Sequence, residues 1–237
     1  MAEKIKVLFL SADPGSTGAR LRLDVEVRTV TEAIRKARER DSLEFVSEWA
    51  VRAGDLQHAL LWHKPAVVHF SGHGTGTDGI FLEDGQGNAR AVSKEALAGL
   101  FTILRRSIRV VVLNACETQP TVEAFRSVVD YTVGMNTIIS DRAAICFAEG
   151  FYGALAFGMG VEDAFALGVN RLREEGIPES DAPRLFVREG ADSNPLIVPA
   201  RPPEPEESAP MGPISLRDST VNTMNVNRGD HALFINN

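Results

Sequence analysis

Ala66-Val67-Val68-His69-Phe70-Ser71-Gly72-His73-Gly74 is the stretch that decides the fold, and it has a counterpart in Val110-Val111-Val112-Leu113-Asn114-Ala115-Cys116-Glu117. Each is a short apolar run, rich in β-branched residues, that ends in small or polar residues, which is typical of a buried strand in a parallel sheet. Ligands bind at the carboxyl ends of such strands, because the loops there diverge and leave a crevice. The sequence therefore predicts an α/β fold with His73 and Cys116 at one edge of its sheet.

A histidine and a cysteine at this edge can act as a base and a nucleophile. A thiol of ordinary pKa is mostly protonated at neutral pH, and a neighbouring imidazole can take its proton. Gly72 and Gly74 flank His73, and a glycine there would let the backbone of a substrate approach closely. The backbone N–H groups of Gly74 and Cys116 are the expected donors to an oxyanion. We therefore expect the Cys116 thiolate to attack a carbonyl carbon.

These two segments resemble the histidine and cysteine motifs of the CHAT family of caspase-like cysteine peptidases. Other stretches within residues 4–190 also resemble that family, namely residues 23–28, 49–52, 55–60, 133–136 and 147–152. The resemblance implies the caspase-haemoglobinase fold, a three-layer α/β domain with a mostly parallel central sheet, and catalytic roles for His73 and Cys116. It implies a cysteine endopeptidase acting on a protein substrate and, in bacterial members, a link to defence or regulated cell death. It implies no metal and no organic cofactor.

Asp141 is the candidate substrate-binding residue, because it follows a predicted strand at Tyr131–Met135 and a short loop. In caspase-like peptidases that cleave after a basic residue, an acidic side chain in this region lines the pocket. The basic-specific metacaspases also carry an aspartate two residues before the cysteine, where this chain has Asn114. A preference for Arg or Lys therefore rests on Asp141. The alternative is that Asp141 caps the helix that begins there.

Two other stretches resemble known binding motifs. Residues 74–79 fit the dinucleotide pattern G-x-G-x-x-G, but that pattern requires a helix after the third glycine, and residues 80–85 do not predict one. His69 and His73 could suggest a metal pair, but they end a strand four residues apart, where they point to different places, and no HExxH motif accompanies them. We interpret His69 as structural and Cys146, on an apolar helix face, as a core residue.

The order of elements predicts βαβ units with right-handed crossovers. Helices are predicted at residues 21–40, 53–63, 93–104, 119–128, 141–157 and 161–173, and the segment 80–92 predicts a small hairpin. A last strand is predicted at residues 184–187. The many Ala and Gly residues of the last two helices predict close packing between them.

Composition limits the function further. The 237 residues, 44% hydrophobic, can bury one full core. The net charge of −7 argues against a nucleic-acid surface, which needs a basic stripe. Two cysteines suit a reducing cytoplasm rather than a disulfide framework. No apolar run approaches the ~20 residues that span a bilayer, and residues 1–6 lead into a strand without the apolar stretch of a signal peptide. We expect a cytoplasmic protein.

The composition changes sharply near the end of the chain. We predict a peptidase domain at residues 1–197, an extended proline- and glutamate-rich linker at 198–213 and a tail at 214–237. The tail has high β-propensity, low net charge and several asparagines, and it resembles the short amyloid-signalling motifs of some bacterial defence proteins. The alternatives are a disordered tail or a strand that folds back. A homo-oligomer or a tail-to-tail assembly is therefore a possible partner arrangement, and an inactive scaffold that acts through assembly is the alternative function.

Overall fold

The computed structural model describes residues 4–17, 20–76, 78–192 and 196. A central sheet contains strands β1 (Ile5–Ala12), β2 (Leu43–Glu48), β3 (Val67–Gly72), β6 (Val110–Asn114), β7 (Tyr131–Met135) and β8 (Pro183–Val187). A hairpin is formed by β4 (Gly79–Glu83) and β5 (Ala89–Ser93). The helices are α1 (Leu23–Lys36), α2 (Ala53–His63), α3 (Lys94–Leu104), α4 (Gln119–Glu123), α5 (Asp141–Ala156) and α6 (Val161–Glu174).

The six strands of the central sheet lie in the order β2-β1-β3-β6-β7-β8. Every pair is parallel except β7 with β8, which is antiparallel. The prediction of a mostly parallel sheet is confirmed. In the register of the two central strands, Ser71 of β3 pairs with Asn114 of β6. His73 and Cys116 each follow their paired residue by two positions, so the two residues lie at the same level of the sheet edge.

Helices cover both faces of the sheet, as the three-layer prediction requires. Residues such as Val67, Val110 and Val112 pack on one face with α1, α5 and α6. Residues such as Val68 and Phe70, one position out of phase, pack on the other face with α2 and α3. Both faces of the sheet are buried, so the residues that point to either face are mostly apolar. The strands therefore appear in the sequence as continuous hydrophobic runs.

The last two long helices pack closely, as their composition predicts. A Cβ added at Gly150 of α5 would lie 2.9 Å from the Cα of Gly168 in α6. A Cβ added at Gly168 would in turn lie 2.9 Å from the ring of Phe147. Because neither glycine has a side chain, the two helix backbones approach each other here.

Two helices are shorter than the sequence predicts. The first ends at Lys36, and Ala37 is extended and fully buried. The burial of Ala37 ends the helix, although the charged residues that follow have good helix propensity. The fourth ends at Glu123. Beyond it the chain continues in tighter turns, in which Phe125 N–H donates to Val122 O, because Phe125 must reach the core, where it is fully buried.

By its internal contacts, the chain divides into two units, Met1–Ala200 and Arg201–Asn237. The predicted boundary at residue 197, the linker at 198–213 and the tail at 214–237 lie outside the described residues. None of the helices in the described part of the chain is long and apolar enough to cross a bilayer.

Candidate active site

His73 and Cys116 line one cavity of about 130 Å³ at the carboxyl edge of the sheet. The cavity is built from four separate parts of the chain: the segment before α1, the end of β3, the end of β6, and the loop after β7 together with the start of α5. Its lining residues are Leu21, Ser71, Gly72, His73, Asn114, Ala115, Cys116, Ile139, Asp141 and Ala144. The adjacency of the two central strands therefore brings the two predicted residues to a common site.

Cys116 lies at the start of a sharp turn. Its Sγ lies 3.6 Å from the carbonyl oxygen of Ile139 and accepts from the Ile139 N–H at 3.5 Å. The next residue, Glu117, has a φ of 52°, a left-handed conformation that costs a non-glycine residue free energy. The Glu117 N–H donates to Thr137 O. The loop after β7 thus fixes the thiol and the strained turn that follows it.

Asp13 orients the imidazole of His73. Its Oδ1 lies 3.1 Å from His73 Nε2. An ionised carboxylate can only accept a hydrogen bond, so Nε2 is the nitrogen that donates to Asp13, and in the neutral ring the lone pair lies on Nδ1. The neutral ring held in this tautomer can therefore accept a proton at Nδ1.

Asp13 is a site residue that the sequence motifs do not reveal. The signal was available in the topology: Ala12, the last residue of β1, pairs with Gly72 of β3. Asp13 and His73 therefore follow neighbouring parallel strands at the same level. A titratable residue directly after a third parallel strand is expected at the same edge.

The glycines beside His73 are required by the chain itself. A Cβ at Gly74 would overlap the carbonyl oxygen of Cys116, and one at Gly72 would lie 2.5 Å from the carbonyl oxygen of Ala12. Packing within the chain, rather than the close approach of a substrate backbone, is therefore enough to require glycine at both positions. Gly74 is needed so that the turn after β3 can lie against the turn after β6.

The N–H of Gly74 is left outside the local strand pairing. Gly74 faces Ile80 in an antiparallel bridge, and the flanking hydrogen bonds are donated by Thr75 and Phe81. In a pair of this kind the N–H groups point away from the partner strand. The Gly74 N–H is therefore able to donate to another group.

Asp141 lies in the cavity wall, and Ser140 is the helix cap. The Ser140 side chain accepts from the Ala143 N–H at 3.2 Å, which makes the capping interpretation of Asp141 wrong. The Asp141 carboxylate instead accepts from Arg22, at 2.8 Å from Nε and 3.2 Å from the backbone N–H. The Arg22 side chain is more than half exposed, so water and substrate can compete for this pair.

A third carboxylate, Glu26 of α1, is buried and contacts the cavity residues Ser71 and Asn114. It is 1% exposed and accepts from His69 Nε2 at 3.1 Å, from Asn114 Nδ2 at 2.7 Å and from the Ser71 hydroxyl. His69 Nδ1 lies 3.0 Å from the hydroxyl of Tyr152. Burial, followed by the charge of Glu26, raises the pKa of Tyr152 well above its usual value, so Tyr152 stays protonated and donates to His69.

The interpretation of His69 as structural is confirmed by these contacts. The sequence did not reveal Glu26, because a lone acidic residue on an amphipathic helix is usually exposed. His69 and His73 bind different carboxylates, Glu26 and Asp13. Among the described residues, no group of three His, Cys, Asp or Glu side chains could hold a metal ion.

The remaining sequence alternatives are decided by the fold. Gly79, the third glycine of the dinucleotide pattern, begins a strand rather than a helix. Cys146 is buried in α5, which confirms it as a core residue. Burial is also the main cause that raises the pKa of its thiol.

Comparisons with known proteins agree with this architecture. The profile of the CHAT domain family matches residues 12–185. A Roc-COR-CHAT protease from an unknown prokaryotic organism is 26% identical over 154 residues, which are 62% of this chain and 14% of that protein. The chain therefore spans a small part of this relative.

Two solved structures are similar in fold at 13% sequence identity. A secreted C11 cysteine protease from Bacteroides thetaiotaomicron, in complex with an irreversible peptide inhibitor, has a TM-score of 0.57 over 77% of this chain and 65% of that one. The Arg-specific cysteine proteinase gingipain R has a TM-score of 0.56 over 81% of this chain and 48% of that one. The fold is therefore that of the caspase-like cysteine proteases.

Proposed function

Because the chain belongs to the CHAT domain family, we propose that it is a cysteine endopeptidase in which Cys116 is the nucleophile and His73 the base. The observation that carries this proposal is that His73 and Cys116 line the same cavity. The hydrogen bond from His73 Nε2 to Asp13 adds the orienting group that a nucleophile and base require.

The reaction follows from these roles. His73 takes the proton of the Cys116 thiol, and the thiolate attacks the carbonyl carbon of the peptide bond. The tetrahedral intermediate collapses as the C–N bond breaks, and His73 gives its proton to the leaving amine. A water molecule, deprotonated by His73, then attacks the thioester. The C–S bond breaks, the thiol regains a proton, and a carboxylic acid leaves.

The proposed oxyanion donors are the backbone N–H groups of Gly74 and Cys116. Support comes from the position of Gly74 against Cys116, which a Cβ would prevent, and from the Gly74 N–H lying outside the bridge to Ile80. Donors held rigidly by the backbone stabilise the developing charge without reorganisation.

We propose that the peptidase cleaves after Arg or Lys. Asp141 supports this preference because its carboxylate lies in the cavity wall. Its partner Arg22 is an exposed side chain that a substrate cation can displace. The similar structure of gingipain R is described as that of an Arg-specific proteinase, and the same preference is transferred here only as part of the proposal.

The test compares wild type with Cys116→Ala, His73→Ala and the matched control Cys146→Ala on a proteome-derived peptide library. Wild type and Cys146→Ala are expected to produce new carboxyl termini at Arg or Lys, and the other two variants are not. Identical fragments from Cys116→Ala would contradict the proposal. A wild-type protein that cuts no peptide would favour the alternative, an inactive scaffold.

We also propose that the protein acts in the cytoplasm, in bacterial defence or regulated cell death, and that residues 214–237 assemble or recruit it. The support for assembly is the tail's cross-β composition, with asparagines at positions 222, 225, 227, 236 and 237. A peptide of residues 214–237 is expected to form fibrils with a diffraction spacing of about 4.7–4.8 Å. A peptide that stays monomeric at high concentration would remove this proposal.

A further inference from the structure

An apolar groove of about 400 Å³ lies between α1, α5 and α6. Three large apolar side chains line it although they are exposed: Phe157 is 55% exposed, Met159 37% and Leu167 42%. Single exposed apolar residues are normal on a protein surface, but several that lie together mark an interaction site. The groove is therefore a candidate binding surface.

Packing inside the chain does not explain the glycine at position 153, which lines the groove. Among the described residues, a Cβ added at Gly153 would meet one atom within 4 Å, the Cβ of Ala33 at an ordinary contact distance of 3.8 Å. Gly150 differs, because a Cβ there would lie 2.9 Å from the Cα of Gly168. A glycine inside a helix is less stable than an alanine. A side chain at position 153 would enter the groove, so Gly153 keeps this space open for a group from outside the chain.

Phe157 is a projecting group that is held by a rigid turn. Its N–H is shared between the carbonyl oxygens of Gly153, at 3.2 Å, and Ala154, at 3.0 Å, and the Gly158 N–H donates to Leu155 O at 2.9 Å. Aromatic side chains are common anchors of protein interfaces. An anchor on a fixed turn loses less conformational freedom on binding than one on a flexible loop.

The two walls of the groove carry opposite charges. Helix α5 packs against both α1 and α6, and Lys36, in the last turn of α1, makes the α1 wall positive. On the opposite wall, Arg171 pairs with Glu149 at 3.4 Å and with Glu174 at 3.6 Å, so these three residues have one net negative charge. A surface with separated charges of opposite sign is complementary to a copy of itself that is turned by a twofold rotation.

We propose that this groove is the interface of a homodimer, in which Phe157 of each protomer inserts over Gly153 of the other and Lys36 faces Glu174 across the twofold axis. A second copy fits the observations because the same surface supplies both the projecting aromatic ring and the open floor that receives it. The inference concerns α1, α5 and α6, and it does not depend on the proposed peptidase activity.

The first test measures self-association of the full chain by sedimentation velocity over a concentration series. Wild type should shift from monomer to dimer as its concentration rises. Phe157→Ala should raise the dissociation constant about 10- to 100-fold, the effect of losing an anchor residue. Ile103→Ala is the matched control, because Ile103 is a 78% exposed apolar residue of α3, and it should leave the constant unchanged. Every variant keeps residues 214–237, so any assembly through the tail would affect all of them alike.

Substitution of Gly153 should affect association and stability in different ways. Gly153→Leu fills the groove and should raise the dissociation constant at least about tenfold. The urea midpoint of the monomer, measured at low concentration, should stay the same or rise, because leucine is a better helix former than glycine. Gly99→Leu is the control, since a Cβ at Gly99 of α3 meets nothing within 4 Å. It should raise the urea midpoint without changing the dissociation constant.

A mixing experiment tests whether the partner is a second copy. Lys36→Glu and Glu174→Lys should each weaken the dimer about tenfold, because like charges then face each other at both symmetric contacts. An equimolar mixture of the two variants should recover dimer formation, because both contacts of the mixed dimer again join opposite charges.

Three results would overturn the inference: a wild-type chain that stays monomeric, equal dissociation constants for wild type and Phe157→Ala, or no recovery of the dimer in the mixture of charge variants.

Discussion

The carboxylate of Asp13 holds His73 and the segment before α1 at the same time. Its Oδ1 lies 3.1 Å from His73 Nε2, and its Oδ2 accepts from the Leu21 N–H at 3.3 Å. Leu21 lines the cavity. One side chain thus fixes both the tautomer of the imidazole and one wall of the site.

Replacing Asp13 should reduce turnover more than binding. In Asp13→Asn the amide can donate to the ring as well as accept from it, so the Nε2–H tautomer is no longer favoured, and we expect kcat to fall about 10²- to 10⁴-fold, with KM changed less. Steady-state kinetics on an Arg or Lys peptide measure this. Asp163→Asn, at an exposed position of α6, is the control. An unchanged kcat in Asp13→Asn would show that Asp13 has no role in orienting His73.

The two cysteines should differ in their reaction with iodoacetamide. The thiolate is the reactive form, and burial raises the pKa of the Cys146 thiol, so Cys146 stays neutral at a pH where an ordinary thiol begins to ionise. At pH 7.5 we expect Cys116 to react at least about tenfold faster. Labelling of Cys146 should increase only as the pH rises toward its raised pKa. Peptide mass mapping over a pH series gives both rates.

The variants that check this prediction are Cys116→Ser, which should leave only the slow reaction, and His73→Ala, which should slow the labelling of Cys116. Equal rates at the two cysteines in the wild type would contradict both the burial of one thiol and the activation of the other.

Gly74→Ala should damage the site and the fold together. The added methyl overlaps the backbone oxygen of Cys116, and a backbone atom cannot rotate away, so the two turns must separate. We expect a loss of about 1–3 kcal/mol in unfolding free energy and little remaining activity. Gly99→Ala is the matched control, because its methyl meets nothing within 4 Å. It should stabilise α3 by about 0.5–1 kcal/mol. Urea unfolding of both variants measures the difference.

Substitutions at Ser140 and Asp141 should affect different properties: the first should lower stability, and the second should change substrate preference. Ser140→Ala removes the cap of α5 and should cost about 1 kcal/mol. Asp141→Ala removes an ion pair whose Arg22 side chain is more than half exposed, and it should cost about 0.2–1 kcal/mol. Only Asp141→Ala is expected to lower the cleavage of Arg peptides relative to neutral ones. If Ser140→Ala shifts the preference equally, the effect belongs to the helix terminus and not to the carboxylate.

The positions of His73 and Cys116 could be predicted because strands obey simple rules. A buried β-branched run that ends in a polar residue marks the carboxyl end of a strand, and neighbouring parallel strands bring such ends together. The same rule applies to Asp13, which directly follows β1, but the sequence alone does not show that β1 lies next to β3.

Glu26 and the cap of α5 could not be predicted in the same way. The three donors to Glu26 come from His69, Ser71 and Asn114, which are far from it in sequence, and burial of a carboxylate is acceptable only when such donors are present. Ser140 and Asp141 are both good capping residues, and only the start of α5 decides between them.

The cavity wall also sets the order in which the site is completed during synthesis. It extends from Leu21 to Ala144, so the Cys116 thiol is made 28 residues before the last part of the wall. At roughly 5–20 residues per second, this interval is about 1–6 s. A nascent chain that ends between Cys116 and Ile139 has the nucleophile but lacks Ile139, which holds Sγ, and Asp141. The growing polypeptide therefore carries the thiol before its site is complete. The site is complete only when β7 has paired with β6 and the start of α5 has formed.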